Sequence, residues 1–163
     1  MVEIRKAGIA EISTIKNLAD DIWPATYKDL LSPDQIDYMM NLSYSPSSLA
    51  EQFTKHTFLI AYVDNEPAGF ASYSPSSYPG TYKLQKIYVN TSIQRRGLGK
   101  ALINFIAEEL RSSGASALEL NVKRDNPARL FYEKLGFEVI REEDIDIGNG
   151  YWLQDYVMKQ DFV

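Results

Sequence analysis

The sequence has no cysteine and only one histidine among its 163 residues. Without cysteine there is no disulfide framework, no thiolate nucleophile and no zinc knuckle, and one histidine cannot build a histidine-rich metal cluster. Long apolar runs are also missing. No segment approaches the roughly 18 residues of a membrane-spanning helix, and residues 1–10 carry charges where a signal peptide would be apolar. We therefore expect no metal, no redox chemistry, no membrane association and a cytoplasmic location.

Positive charge is in short supply as well. The chain carries 17 lysine and arginine residues against 22 aspartate and glutamate residues, which gives a net charge of −5. This is the wrong sign for a protein that binds a phosphate backbone, so we expect no nucleic-acid partner. The negative field mildly favours cationic partners such as amines.

Hydrophobic periodicity predicts alternating strands and helices. A length of 163 residues suits one well-buried core, so we predict a single domain over residues 1–163. The predicted strands lie near residues 2–4 and at 57–63, 68–73, 81–89, 117–122, 137–145 and 151–158. Helices are predicted from Ile12 to Trp23, after Ser32, after Ser45, from Leu98 to Leu110, and between Asn126 and Gly136. This order argues for a mixed-sheet α/β or α+β domain.

Several of these elements have recognisable ends. Ser32-Pro33-Asp34-Gln35 is a capping box, and Ser45-Pro46 repeats its serine and proline signal. Asn126 and Pro127 have the N-cap and first-position chemistry of a helix that Gly136 ends. Turns predicted at residues 64–67 and 148–150 join strands into hairpins. The segment 23–27, which contains a proline, is interpreted as a link between helices.

A glycine loop, Gln94-Arg95-Arg96-Gly97-Leu98-Gly99, leads from a predicted strand directly into a predicted helix. Unpaired amides at a helix N-terminus and the helix dipole suit an anion such as pyrophosphate, and glycine lets phosphate oxygens approach those amides. Arg95, Arg96 and Lys100 add positive charge at the same place. The loop lacks the spacing of a Walker site and the third glycine of a dinucleotide fingerprint. Taken alone, it leaves open an ordinary glycine turn with solvated charges.

Three motifs, in order, resemble the signatures of the GCN5-related N-acetyltransferases, the GNAT family. The glycine loop is similar to the family's Gln/Arg-x-x-Gly-x-Gly/Ala pattern, and the segment 83–89, KLQKIYV, resembles its fourth strand. The segment 126–137, NPARLFYEKLGF, resembles its second signature. The resemblance covers nearly the whole chain. It implies a mixed, mostly antiparallel central sheet of about six to seven strands, flanked by helices and splayed between strands four and five.

The resemblance implies acetyl-CoA as the donor substrate and suggests which residues bind it. Backbone groups of Ile87, Tyr88 and Val89 would pair with the pantetheine arm, and Asn126 would hydrogen-bond that arm or an ordered water. The implied pyrophosphate-binding residues are Gln94, Arg95, Arg96, Gly97, Leu98, Gly99 and Lys100. Lys134 or Arg129 would reach the 3′-phosphate, although each is equally well a solvated surface residue.

Tyr132 is the residue that the resemblance assigns to the chemistry. On a helix starting at Asn126, the positions Ala128, Phe131, Tyr132 and Leu135 share one face, which predicts a phenol beside the buried side. A buried tyrosine is often only a core residue. The resemblance places this hydroxyl next to the thioester sulfur, where it would protonate the departing thiolate as general acid. An uncharged amine would attack directly, while a backbone N–H of the fourth strand polarises the carbonyl.

The motifs do not assign the general base. Many relatives carry a glutamate on the fourth strand, but the matching positions here are Lys83 and Gln85. Four side chains are candidates instead, or a water chain delivers the proton to bulk solvent. The candidates are Glu119, which is expected to face solvent, His56, which is expected to cap a strand at the surface, Asp155 and Tyr73.

The acceptor is suggested only by aromatic content and charge. An aromatic wall with Asp155 or Glu119 would hold a cationic amine, although most aromatic residues serve equally well as core. The aromatic candidates are Trp23, Tyr27, Tyr73, Tyr82, Trp152 and Tyr156. We expect an N-acetyltransferase for a polyamine, a small amine or a peptide amine. The alternatives are a non-catalytic acyl-CoA-binding regulatory module and an ATP-binding protein. Similar proteins are commonly homodimers, so a homodimer is a further expectation.

Overall fold

The computed structural model describes residues 1–93 and 97–162. The strands are β1 (Val2–Ala7), β2 (Thr57–Val63), β3 (Glu66–Pro75), β4 (Thr81–Val89), β5 (Ala117–Lys123), β6 (Glu138–Gly148) and β7 (Tyr151–Asp161). The helices are α1 (Ile12–Tyr27), α2 (Pro33–Tyr44), α3 (Pro46–Phe53), α4 (Leu98–Ser112) and α5 (Ala128–Lys134). Each predicted strand and helix has a counterpart in this order.

The strands form one sheet in the order β1-β2-β3-β4-β5-β7-β6. β2 pairs antiparallel with β1 and β3, and β7 pairs antiparallel with β5 and β6. β4 and β5 are parallel, because α4 carries the chain across between them. The predicted mixed, mostly antiparallel sheet is therefore confirmed. The register of β4 with β5 runs from Thr81↔Ala117 to Leu84↔Leu120, whereas β4 continues to Val89.

The chain forms two compact units, Met1–Ser74 with Lys86–Ile106 and Pro75–Gln85 with Ala107–Val163. In the first unit the buried side chains of α1, α2 and α3 pack with those of β2 and β3. This core includes Ile15, Leu18, Trp23, Tyr44, Leu49, Phe58, Ile60 and Phe70. In the second unit the first four residues of β5 are all buried, and Val122 is buried as well. The buried residues there include Leu118, Leu120, Val122, Phe137 and Met158. A single domain over the whole chain stays a prediction.

Local signals set several element ends. Ser32 Oγ accepts a hydrogen bond from the Gln35 amide at 3.1 Å, and Ser45 Oγ accepts one from the Ser48 amide at 3.2 Å. Both serine caps are thus confirmed. Each cap is followed by a proline at the first helical turn, where the missing N–H has no intrahelical partner to lose.

Both hairpin turns are shorter than predicted. Asp64 and Asn65, with φ of 49° and 70°, are the two residues between β2 and β3. Asn149 and Gly150, with φ of 56° and 78°, are the two residues between β6 and β7. Positive φ at both central positions is the type I′ geometry, whose twist matches that of the paired strands.

The prediction of a link at residues 23–27 is wrong. α1 continues through Pro24 to Tyr27. A proline inside a helix removes one backbone hydrogen bond, but Trp23 is only 5% exposed, and its burial favours the extra turn. The Thr26 hydroxyl also donates to the Ile22 carbonyl at 2.9 Å.

Candidate functional site

The start of α4 offers a row of backbone amides. Gly97 has φ of 83°, a left-handed conformation that suits glycine, and its carbonyl accepts the Ala101 amide at 2.9 Å. That bond opens the helix, so the amides of Leu98, Gly99 and Lys100 are the first-turn donors that have no intrahelical acceptor. Such donors at the positive end of a helix dipole suit a pyrophosphate. The residues present therefore fit the phosphate portion of CoA.

The other half of the glycine loop, Gln94, Arg95 and Arg96, lies outside the described residues. The segment before it is a compact turn: Asn90 Oδ1 accepts from the amide of Ser92 at 3.0 Å and from its hydroxyl at 2.7 Å. The Asn90 amide donates to the Ala68 carbonyl at 2.8 Å, which ties the end of β4 to β3. The assignment of the loop to pyrophosphate stays a prediction.

Gly69 on β3 is a residue that the sequence analysis missed. A β-carbon at this position would lie 2.8 Å from the Tyr88 carbonyl oxygen and 3.3 Å from Val89 Cα. Both atoms are backbone of β4, in the segment expected to pair with pantetheine. Only glycine lets β3 lie this close to that backbone without displacing it.

We expect Gly69→Ala to raise the KM for acetyl-CoA about tenfold, because the added methyl group displaces the backbone at Tyr88 and Val89 and costs roughly 1.4 kcal/mol of binding. Steady-state kinetics with acetyl-CoA as the varied substrate would measure this. Gly8→Ala is the matched control, since a β-carbon there meets nothing within 4 Å. Equal KM values for the two variants would show that the Tyr88 and Val89 backbone does not bind the donor.

Asn126 and Tyr132 lie at and within α5. Asn126 Oδ1 accepts the Ala128 amide at 2.9 Å, but the N-cap position is Pro127, so the helix starts one residue later than predicted and Asn126 lies just before its cap. Tyr132 is half-buried, and its ring lies 5.3 Å from that of Phe131 and 6.0 Å from that of Phe137. The predicted buried position of Phe131 is wrong: this residue is 37% exposed, since a helix of 7 residues covers little surface.

The two cations proposed for the 3′-phosphate lie on α5 as well. Arg129 Nε is 3.5 Å from Glu133 Oε1, and the Arg129 guanidinium lies 5.4 Å from the centroid of the Tyr156 ring. Lys134, in the last turn, is exposed. Neither contact tests the assignment to the 3′-phosphate, which stays a prediction.

Among the candidate bases, Asp155 lies in a polar cluster on the sheet of the second unit. Asp155 is 6% exposed, and the Asn121 side-chain amide donates to its Oδ2 at 3.2 Å and to Glu143 Oε1 at 3.3 Å. The pairing of β5, β7 and β6 puts these three side chains together: Asp155 and Glu143 are register partners, and Asn121 lies two residues from Lys123, the partner of Asp155 on β5, and so on the same face. Neither Asn121 nor Glu143 was singled out from the sequence.

The two carboxylates of this cluster have different electrostatic environments. Burial raises the pKa of Asp155, against a lowering influence from the Asn121 hydrogen bond and from Lys83, while Glu143 raises it further. The hydrogen bond from Arg141 is the main cause that lowers the pKa of Glu143. Two carboxyl groups whose pKa values are pushed apart can take different roles, and the one with the raised pKa is the better proton acceptor.

Glu119 does not face solvent, contrary to the prediction. It is 6% exposed, and its register partners are Lys83 on β4 and Lys159 on β7. Neighbours in register share one face of the sheet, so Glu119 lies in a row with two lysines. This position suits a structural, charge-balancing role for Glu119 better than a role as general base.

The other two candidate bases lie in the first unit. His56 immediately precedes β2, and its Nδ1 is buried without a hydrogen-bond partner among the residues described, so it is not the surface cap that was predicted. Burial, followed by the positive charges of Lys86 and Lys55, lowers its pKa. Tyr73 on β3 is 7% exposed and is the register partner of Thr57.

The aromatic candidates for the acceptor site divide between the units. Trp23 and Tyr27 lie in the first, with ring centroids 4.4 Å apart, and Tyr27 exchanges a hydrogen bond with the Tyr88 hydroxyl at 2.9 Å. Trp23 is a buried core residue, whereas Trp152 in the second unit is 56% exposed. Tyr73 belongs to the first unit, and Tyr82 and Tyr156 belong to the second.

Comparison with known proteins decides the family. The sequence profile of the Acetyltransferase (GNAT) family matches residues 12–137 of this chain. The chain belongs to the GNAT family. It is an enzyme of the N-acetyltransferase class that uses acetyl-CoA as donor.

Three relatives show how closely other GNAT proteins resemble it. The chain is 30% identical over 154 residues to the uncharacterized N-acetyltransferase YuaI of Bacillus subtilis, covering 90% of this chain and 86% of that protein. It is 26% identical over 152 residues to the spermidine N(1)-acetyltransferase of Thermoplasma acidophilum, with 89% and 91% covered. The crystal structure of the PaiA N-acetyltransferase from Thermoplasma acidophilum in complex with coenzyme A superposes with a TM-score of 0.83, at 25% identity and 99% coverage of both chains.

Two further features of this GNAT protein concern metals and membranes. Residues 1–93 and 97–162 contain no group of three or more His, Cys, Asp or Glu side chains that could hold a metal ion. Within the same residues no helix is long and apolar enough to cross a bilayer.

Proposed function

We propose that this GNAT enzyme transfers the acetyl group of acetyl-CoA to a primary amine by direct attack in a ternary complex. The observation that supports the proposal is the placement of Tyr132 and Asp155, our proposed acid and base, on opposite faces of the sheet in the second unit. Arg129 of α5 contacts the Tyr156 ring, so α5, with Tyr132, lies on the face to which Tyr156 points. Adjacent residues of a strand point to opposite faces, so Asp155 projects from the other face.

We assign these two residues complementary roles in one reaction. Asp155 accepts a proton from the amine as the amine nitrogen bonds to the thioester carbonyl carbon. The carbon–sulfur bond then breaks, and Tyr132 donates its hydroxyl proton to the departing thiolate. Asp155 releases its proton to solvent and Tyr132 regains one from solvent, so both side chains end as they began. Asn121 is a positioning residue, because its amide fixes Asp155 Oδ2 at 3.2 Å.

Binding of the donor is proposed to use backbone groups of the first unit. The amides of Leu98, Gly99 and Lys100 would hold the pyrophosphate, together with Gln94, Arg95, Arg96 and Gly97. Ile87, Tyr88 and Val89 would pair with the pantetheine arm. Asn126 would donate its side-chain N–H to that arm, and Lys134 would reach the 3′-phosphate. A backbone N–H of β4 would polarise the thioester carbonyl.

The proposed acceptor is a primary amine carried by a small molecule, a polyamine or a peptide. The relative that acetylates spermidine supports an amine of this class. The buried carboxylate of Asp155 supports it too, since an anion attracts an ammonium group, which releases one proton to solvent and then attacks as the uncharged amine. We also propose a cytoplasmic location, where acetyl-CoA and such amines occur together.

An assay of CoA thiol release tests this function. We expect acetyl-CoA to be consumed only when an amine is present, and N-acetylhexylamine to give no release where hexylamine does, because its single nitrogen is an amide nitrogen that cannot attack. The protein would instead be an acyl-CoA-binding module if calorimetry detects CoA binding but spermidine, hexylamine and a peptide amine all fail to cause thiol release. Tighter binding of ATP than of CoA would contradict the choice of donor.

A further inference from the structure

A lysine of β4 lies below the helices of the first unit without an acidic partner. Lys86 Nζ is 4.9 Å from the centroid of the Tyr44 ring, and Tyr44 is only 1% exposed. The Tyr44 hydroxyl is already engaged, because it accepts the Trp23 indole N–H at 3.1 Å. Among the described residues no carboxylate forms an ion pair with Lys86. Its ammonium group therefore faces an aromatic ring instead of an anion.

A fully buried hydroxyl lies on the neighbouring strand, on the same face of the sheet as this lysine. Ser72 on β3 is 0% exposed, and its Oγ has no hydrogen-bond partner in the part of the chain that the structure describes. The Phe70 and Tyr88 rings are 5.8 Å apart, and the Asn90 amide bonds to the Ala68 carbonyl, which together fix the antiparallel pairing of β3 with β4. Two residues along each strand from that ring pair, on the same face, are Ser72 and Lys86.

His56 completes the cluster from the start of β2. Its ring stacks on Phe58 with centroids 6.5 Å apart, and Phe58 is the cross-strand partner of Ser72. Nδ1 of His56 is buried without a partner among these residues, and the charge of Lys86 contributes to lowering its pKa. Three polar groups, one just before β2 and one each on β3 and β4, thus share one face, and His56 Nδ1, Ser72 Oγ and Lys86 Nζ have no hydrogen-bonding partner in the described chain.

The chemistry of the cluster points to one kind of ligand. An ammonium, a hydroxyl and an imidazole N–H are all donors, and a partly buried ammonium without a counter-charge is destabilising. Burial lowers the pKa of Lys86 to about 8. With neutral His56, the cluster carries one positive charge at neutral pH, which a single carboxylate would balance while accepting all three hydrogen bonds.

We propose that Lys86, Ser72 and His56 form a carboxylate-binding subsite in the first unit. The carboxylate belongs either to an amine acceptor that also carries an acid group or to a separate small acid. The first of these rests on the proposed function, since it concerns the acceptor of that reaction. It narrows the acceptor from amines in general to amino acids and related amino-carboxylates, and it disfavours polyamines, which have no group for Lys86.

Matched trios of small molecules test the subsite. One trio is 6-aminohexanoate, hexylamine and hexanoate, and the other is phenylalanine, 2-phenylethylamine and 3-phenylpropanoate. Within each trio the members have both groups, only the amine, or only the carboxylate. Thiol release is measured with the amines, and calorimetry measures the binding of hexanoate and 3-phenylpropanoate. The variants are Lys86→Met, Ser72→Ala and, as control, Lys28→Met, which removes an exposed charge at the end of α1.

We expect at least one of the two acids to bind the native protein, with affinity reduced at least tenfold by Lys86→Met and about fivefold by Ser72→Ala, which is the loss of roughly one hydrogen bond. Lys28→Met should leave it unchanged. If the acid competes with the amino-carboxylate, the carboxylate is that of the acceptor; if it binds without competing, it is a separate ligand. Lys86-dependent binding without release from any amine would sustain the subsite and refute the proposed function. No binding of either acid, or equal binding to the native protein and Lys86→Met, would overturn the subsite.

The Lys86→Met variant should fold at least as well as the native protein, which keeps the test sound. In the native protein the folded-state pKa of Lys86, about 8, lies below the usual 10.5. The buried charge therefore lowers stability at pH below 8, and this cost disappears as the pH rises to 10.5. We therefore expect a higher unfolding midpoint for Lys86→Met at pH 7, and a difference that narrows between pH 8 and pH 10.5. Chemical denaturation at several pH values would measure it. A midpoint below that of the native protein at pH 7 would contradict the uncompensated charge.

Discussion

Tyr132→Phe is expected to lower kcat by about 10²- to 10³-fold, the range by which a positioned general acid accelerates a reaction. The variant removes the phenolic hydroxyl and keeps the ring, so the contacts with Phe131 and Phe137 at 5.3 Å and 6.0 Å are preserved. Affinity for acetyl-CoA should stay within about twofold, since phenylalanine retains the packing surface of tyrosine. Thiol release at saturating acetyl-CoA measures the first quantity, and calorimetric titration with CoA measures the second.

The control for this variant is Tyr78→Phe, which removes the same hydroxyl from a tyrosine of the second unit that is 63% exposed. It should have native kinetics. A native kcat in Tyr132→Phe would remove Tyr132 from the mechanism as acid. A large loss of CoA affinity with little change in kcat would instead assign its hydroxyl to donor binding.

Asp155→Asn is expected to lower kcat/KM about 10²-fold or more near neutral pH, because asparagine cannot accept the amine proton. The replacement is nearly isosteric, and its side-chain oxygen can still accept the bond that Asn121 donates at 3.2 Å. Since burial raises the pKa of Asp155, the native enzyme should lose activity as the pH falls through a value above that of an ordinary aspartate. The variant should lack this acidic limb of the pH profile.

Stability separates this role from a structural one. A carboxyl group whose folded-state pKa is raised favours folding while it is protonated, and that contribution is lost as the pH rises through the folded-state pKa. At neutral pH the ionised Asp155 is therefore a cost, so Asp155→Asn should not lower the free energy of unfolding there. Asp161→Asn, on the same strand and face with a side chain that is 71% exposed, is the control. An equal loss of rate in Glu119→Gln, with Asp155→Asn active, would move the base to Glu119.

Those parts of the fold that depend on local chemistry are predictable from the sequence. Ser32 and Ser45 cap helices because serine followed by proline satisfies a helix start whatever lies around it. The extension of α1 through Pro24 is not local in this sense. It depends on the burial of Trp23 among side chains from other elements, whereas the residues around Pro24, taken alone, predict that the helix ends there. The prediction for Phe131 was wrong for the same reason, since periodicity shows which residues share a helix face and not whether other elements pack against that face.

The candidate site divides along the same line. The glycine loop and the Tyr132 segment are contiguous motifs, so a resemblance identifies them without any knowledge of the sheet. Glu143 and Asp155 lie 22 and 34 positions from Asn121 in the sequence, and the three side chains meet only through the register of three strands. The irregularity in β6 between Val139 and Arg141 changes which β6 residues share a face with Asp155, and no pattern in a single sequence predicts it. Gly69 was missed for the same reason, because its neighbour is the backbone of another strand.

The two compact units are interleaved along the chain, and this restricts how the protein can be divided. Their borders fall between Gln85 and Lys86 inside β4, and between Ile106 and Ala107 inside α4. Any contiguous fragment that holds the whole of one unit also carries a piece of the other. A gene cut at one place therefore cannot yield either unit alone, and during synthesis on the ribosome the first unit lacks its part of α4 until residue 106 has emerged.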